Sequence, residues 1–156
     1  MDGHAKLIDG FYRAFAARDH ATMAAAYHAE ARFSDPVFPD LHGARIGSMW
    51  RMLCERATDL AIEHSAVRVD GDAGSAHWEA RYTFTATGRP VHNVIDASFR
   101  LRDGLIVEHT DRFDLWRWSR MALGPAGVLL GWSPLVRNKV RRQAATQLER
   151  FVQKTG

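Results

Sequence analysis

Apolar positions recur along this chain at two different periods, and the change from one to the other divides it. Between Ala5 and Asp19, Leu7, Ile8, Phe11, Tyr12, Phe15 and Ala16 fall on one broad face at helical spacing. Asp19 is placed to cap a second, alanine-rich helix whose Met23, Ala26 and Tyr27 face inward. The run ARFSDPVF then reads as a short strand broken by Pro36, and PDLHG as a turn. A third helix follows from Ala44 to Arg56, with Ile46, Met49, Trp50 and Leu53 as its buried stripe.

The period then falls to two. LAIEHSAVRVDGD reads as a strand ending in a tight turn at Asp70-Gly71-Asp72. In the next strand Trp78, Ala80, Tyr82 and Phe84 alternate with His77, Glu79, Arg81 and Thr83. Ile95, Ala97, Phe99 and Leu101 alternate with Asp96, Ser98, Arg100 and Arg102, and Asp103-Gly104 signals a hairpin. The partner strand puts Val107, His109, Asp111 and Phe113 on one face. Helices followed by a meander argue an α+β fold, with the helices laid on one face of a curved antiparallel sheet.

The C-terminal part breaks this pattern. The stretch SRMALGPAGVLLGWSP is apolar and glycine-rich, a loop or broken helix, and Ser133-Pro134 opens a last helix reaching about Lys154. Leu135, Val136, Val140, Ala144, Leu148, Phe151 and Val152 line one of its faces and arginines the other. Length argues a single domain. Residues 1–116 form its body, and residues 117–156 an apolar loop and basic amphipathic helix belonging to the same domain.

Charge sharpens that division. The formal net charge is +3, yet from Arg117 to Gly156 eight Lys or Arg face Glu149 alone. The basic tail is therefore a candidate for docking on a membrane surface or a partner, against the plainer reading of a solvated helix face. It lacks the aromatic interleaving of a single-strand binder, so nucleic acid is not an expected partner. No apolar run is long enough to span a bilayer, and the N-terminus has no leader-like pattern. Cys54 stands alone, as a buried inert thiol fitting a reducing, cytoplasmic setting. The eight histidines include no His-x-x-x-His pair and no cysteine partner, so neither a metal nor another cofactor is expected.

The candidate chemistry lies in two places. Asp35 precedes a proline that biases it toward extended backbone, and Phe33, Val37 and Phe38 surround it with apolar groups. Such a carboxyl can have its pKa raised and serve as a base. His109 and Asp111 share the inward face of the last strand, where ionisable groups need partners or a cavity. Tyr12, Phe15, Phe33, Trp50, Trp78, Tyr82, Phe84, Phe99 and Phe113 are the expected walls of an apolar pocket around these three. A satisfied structural His109–Asp111 pair without turnover is an equal reading.

The helix FYRAFAARD, the stretches AYHAEARFSDPV and LHGARIGSMW, and the hairpin FRLRDGLIVEHTDRFD together resemble the nuclear-transport-factor-2-like superfamily. That superfamily includes ketosteroid isomerases, SnoaL-like polyketide cyclases and limonene epoxide hydrolases. The resemblance covers Ala5 to Trp116 and implies a cone-shaped domain with a deep apolar pocket, often dimerising through its sheet. It places Asp35 where the steroid isomerases carry their base, and Asp111 near the acid-base aspartate of the SnoaL-like cyclases. It also places Phe11 and Ala97 where the isomerases carry their two oxyanion donors. The implied activity is cofactor-free proton transfer (isomerisation, cyclisation or dehydration of a small hydrophobic molecule), with Asp35 as base and His109 with Asp111 as acid partner. A non-catalytic module holding a lipid-like ligand in the same pocket is the alternative.

Overall fold

The computed structural model describes residues 2–155. Helix α1 (Gly3–Ala16) is capped by Asp2, whose carboxylate accepts the His4 backbone N–H. Asp19 caps α2 (His20–Ala25) in the same way, through the N–H of Thr22. Both caps satisfy amide donors that a helix start leaves free. After β1 (Tyr27–Ser34) and the two-residue β2 (Leu41–His42) comes α3 (Ala44–Arg56). The long strands β3 (Ala61–Asp70), β4 (Ala73–Phe84), β5 (Arg89–Arg102) and β6 (Leu105–Arg112) follow. The chain continues with α4 (Leu115–Leu123), α5 (Pro125–Leu130) and α6 (Pro134–Thr155).

The six strands form one curved, unclosed sheet in the order β2-β1-β6-β5-β4-β3. Every pairing is antiparallel except β1 with β6, which run parallel. The expected antiparallel sheet is thus mixed at one place. β1 lies second from one edge, between the short β2 and the last strand, β6, while the meander runs from β6 back to β3 at the other edge. At the β5–β6 hairpin, Asp103 and Gly104 both adopt positive φ, the requirement of a type I′ turn.

Three local expectations are corrected. Tyr27 opens β1 rather than closing α2, because α2 stops at Ala25. On β6 the inward residue near the hairpin is Ile106, not Val107. A bulge pairs Leu101 with Ile106 but Arg100 with Glu108, so the alternation changes phase there. Leu135 is exposed rather than part of the buried face of α6, which is held at its other end by buried Leu148 and Phe151.

The core lies between α1, α3 and the inner sheet face. Phe11, Phe15, Phe33, Trp50 and Trp78 meet edge to face or tilted, at centroid separations of 5.1–5.8 Å along the Phe11–Trp50, Phe15–Trp50, Phe33–Trp50 and Phe15–Trp78 pairs. Such pairs add to simple area burial. No helix among the described residues is long and apolar enough to cross a membrane.

Candidate functional site

Asp35 sits where β1 ends and Pro36 prevents the strand from continuing. Its carboxylate closes a tight turn, Oδ1 accepting the backbone N–H of Val37 at 2.7 Å and of Phe38 at 2.6 Å. The Asp35 N–H in turn donates to the Phe38 carbonyl. Burial among apolar side chains raises the pKa of Asp35 most, and the negative charge of Asp111 raises it further. The two amide donors and the Arg141 guanidinium oppose this without cancelling it, and the pKa is pushed up to about 7. Arg141 also ties α6 to this turn, its Nε donating to the Pro36 carbonyl at 2.8 Å.

Asp111 ends a buried chain of hydrogen bonds. Trp50 Nε1 donates to the Tyr27 hydroxyl oxygen at 3.0 Å, and Tyr27 and His109 Nδ1 are 2.7 Å apart. His109 Nε2 lies 2.8 Å from Asp111 Oδ1, which also accepts from Trp78 Nε1 at 3.3 Å. With the Tyr27 oxygen occupied by Trp50, its own proton points to Nδ1. The His109 proton is then on Nε2, donated to Asp111. Each buried polar group of the pair thus has a partner, which removes the penalty that burial would impose.

A cavity of about 370 Å³ opens between the sheet and the C-terminal helices. Asp35 and Asp111 both line it, with Phe15, Trp50, Trp78, Tyr82, Phe84 and Phe113. His109, Tyr12, Phe33 and Phe99 do not. They lie one layer back, in the solid part of the core. The His109 ring packs 4.9 Å from Phe33 and 4.4 Å from Phe99, and Tyr12 stacks on His64 at 5.4 Å. Sheet phase alone puts all of them inward. It does not say at which end of the strands the core gives way to a cavity. Here the gap lies beyond Ile95 on β5, toward the start of that strand and the end of β4.

Several participants were not singled out from the sequence. Tyr27 was hidden by its helical setting. Asn93 is buried and lines the cavity. It continues the inward series Ile95, Ala97, Phe99, so a polar residue in phase with that apolar series was the available signal. Trp118 of α4 donates its Nε1–H to the Tyr82 hydroxyl at 2.8 Å. Burial raises the pKa of Tyr82, the Trp118 bond lowers it, and the charge of Asp35 raises it again. From α6, Val140, Gln143, Ala144 and Gln147 complete the wall opposite the sheet. Among the described residues no cluster of three His, Cys, Asp or Glu is placed to hold a metal ion.

The family model of the SnoaL-like domain matches residues 8–109. Similar folds occur in solved structures of low sequence identity. An NTF2-like protein of unknown function from Burkholderia pseudomallei K96243 is 18% identical, with 78% of this chain and 98% of that chain covered and a TM-score of 0.67. A putative SnoaL-like polyketide cyclase from Jannaschia sp. CCS1 is 15% identical, with 79% and 93% covered and a TM-score of 0.68. An LEH-like epoxide hydrolase from M. tuberculosis is 20% identical, with 86% and 95% covered and a TM-score of 0.62. No curated protein matches the chain significantly in sequence. At these identities the structures speak for the fold, which is NTF2-like, whereas the family model spans well over half of the chain, and this chain belongs to the SnoaL-like domain family.

Proposed function

We propose that this protein binds a small apolar carbonyl compound in its cavity and moves a proton on it, with Asp35 as the base. One observation carries the reading: two carboxyls line one apolar cavity, and the environment of Asp35 brings its pKa to about 7. A base is most effective when its pKa lies near the working pH. Asp35 Oδ2 takes no hydrogen bond from the protein among the described residues, so it is the oxygen available to a substrate C–H.

In the proposed cycle Asp35 removes a proton from the carbon beside the carbonyl. The electron pair of the broken C–H bond moves into the new C=C bond, and the carbonyl oxygen becomes an enolate oxygen. Charge developing there needs donors. Tyr82 and Asn93 can serve. The Tyr82 oxygen already accepts from Trp118, which leaves its own O–H free, and Asn93 makes no side-chain hydrogen bond among the described residues. Ala80 pairs with Asn93 across β4 and β5, so Tyr82 and Asn93 are diagonal neighbours on the same inward face. They would take the place of the donors absent at Phe11 and Ala97. Where the substrate carries a β,γ C=C bond the enolate is a dienolate, and Asp35 returns the proton to its γ carbon as the double bond shifts to the α,β position, which gives the conjugated isomer with no co-reactant. Asp111 faces the same space and holds up the proton affinity of Asp35, and His109 acts through it as a positioning residue.

The test is proton exchange in D₂O followed by NMR on a panel of β,γ-unsaturated ketones and enones. Asp35→Asn should lower exchange by about a hundredfold or more, the usual scale of a lost general base. Tyr82→Phe should lower it by roughly the same factor, the usual scale of a lost oxyanion donor. Binding without exchange in the unaltered protein would favour the non-catalytic reading. Undiminished exchange in Asp35→Asn would remove Asp35 from the chemistry.

A further inference from the structure

The segment after β6 has an unusual charge pattern and an unusual arrangement of its apolar groups. Between Leu115 and Leu148 there are six Arg or Lys (Arg117, Arg120, Arg137, Lys139, Arg141 and Arg142) and no acid. In the same segment α5 packs against α4 through its smallest residue. Gly127 is buried, and a Cβ built on it would stand 1.9 Å from the Ser119 carbonyl oxygen. Pressing the glycine inward turns the large apolar residues of the helix outward. Val128 is 49% exposed, Leu129 70% and Leu130 53%, and the turn beyond adds Trp132 at 61% and Leu135 at 80%. An apolar helix face normally looks into the core. Here it faces away, and a contiguous exposed patch of this kind marks an interaction site.

The flanking cations are placed beside it. The Arg120 guanidinium lies 4.3 Å above the ring of Trp116, itself a partly exposed member of the patch. Arg137 Nη2 donates to the carbonyl of Trp132, so its charge is held at the edge of the apolar row. Leucines and a tryptophan flanked by Arg120 and Arg137, in a segment without an acid, match the chemistry of a bilayer surface: apolar insertion below the headgroups and attraction to anionic ones. A second copy of this chain fits less well. A symmetric pair meeting through the patch would bring two sets of uncompensated positive charge together.

We infer that the α4–α6 cap docks this protein on an anionic lipid bilayer, with Leu129, Leu130, Trp132 and Leu135 entering the interface and Arg120 and Arg137 beside them meeting the headgroups. The same cap forms one wall of the cavity, through Trp118 and Leu123 of α4 and Val140 of α6. Docking would therefore set the cavity wall against the phase in which an apolar ligand is dissolved. This stands apart from the chemistry assigned to Asp35 and holds whether or not the cavity turns a substrate over.

Co-sedimentation of the full chain with vesicles tests it, using phosphatidylcholine alone and phosphatidylcholine with 30% phosphatidylglycerol, each at low and high salt. Partitioning onto the anionic vesicles should exceed that onto the neutral ones by at least tenfold and fall steeply with salt. Leu129→Ser with Trp132→Ser should abolish it with the melting temperature unchanged, since these side chains touch solvent rather than core. Arg137→Gln should weaken it roughly fivefold, the effect of removing one charge near the surface. Equal partitioning onto both vesicle types overturns the proposal, and so does no partitioning. Sedimentation velocity supplies a further arm. A dimer that the Leu129–Trp132 double variant dissociates, with no vesicle binding in the parent, would assign the patch to a second copy and overturn the lipid reading.

Discussion

Replacing Asp35 by Asn isolates the cost of keeping a carboxylate in this cavity. Asn preserves the shape and keeps an Oδ1 to accept the Val37 and Phe38 amides, while it removes the ionisation. The carboxyl is displaced from an ordinary 3.8 to about 7, chiefly by burial. At about 1.4 kcal/mol per pH unit the charged side chain costs the folded state about 4 kcal/mol. The sign follows from proton binding. Below pH 4 both folded and unfolded chains hold the proton and no cost appears. Between pH 4 and 7 the unfolded chain releases a proton that the folded chain keeps, so stability falls as pH rises. Above pH 7 the full cost is present. Urea denaturation followed by tryptophan fluorescence at intervals from pH 4 to 8 should show the stability of Asp35→Asn gaining on that of the parent by about 4 kcal/mol across this range. Because the comparison is a difference, titrations elsewhere cancel unless they couple to Asp35. The coupled group is Asp111, so the gain should shrink in an Asp111→Asn background. A difference that stays constant with pH would refute the argument: Asp35 would then be an ordinary solvated turn residue, without the proton affinity of a base.

Tyr27→Phe leaves the Trp50 N–H and His109 Nδ1 without their shared partner, and should lower stability by about 1–3 kcal/mol per orphaned group, measured by calorimetry. Ala144→Trp should fill the cavity from the α6 side, abolishing uptake of a fluorescent apolar probe such as 1-anilinonaphthalene-8-sulfonate while circular dichroism stays unchanged. Gly127→Ala places a methyl group in the space of the Ser119 carbonyl and should lever α5 from α4, seen as faster limited proteolysis around Gly124–Gly131.

The helices, the strands and the hairpin turn were readable because each rests on a local rule: an Asp cap, a period of two, an Asp-Gly pair. The inward pairing of His109 with Asp111 was readable for the same reason, since alternation is a property of the strand alone. What escaped depends on partners distant in the chain. The shift from Val107 to Ile106 arises from a bulge that only the pairing with β5 defines. The separation of Asp111, which meets the cavity, from His109, which does not, depends on where the core stops, and two residues on one strand face cannot report that. Trp118 reaches Tyr82 across 36 positions, and α6 reaches the Asp35 turn across 105. The tail reads in sequence as part of the same domain, but its amphipathic face names no partner, so its place against the Asp35 turn was not readable.

The cavity thus has one wall on the sheet and another on α6, and the two differ in their freedom to change. On the sheet side Asp111 and Trp78 belong to the buried Trp50–Tyr27–His109–Asp111 hydrogen-bond chain, and Tyr82 and Asn93 are the donors assigned to the chemistry, so changes there reach the site itself. On α6 the lining residues Val140, Gln143, Ala144 and Gln147 recur at the spacing of a single helical stripe and hold no strand in place. Substitutions there would resize the chamber while the carboxyls stay where they are. Divergence among descendants of such a chain would then proceed by redrawing one helix face, with the ligand changing before the chemistry does.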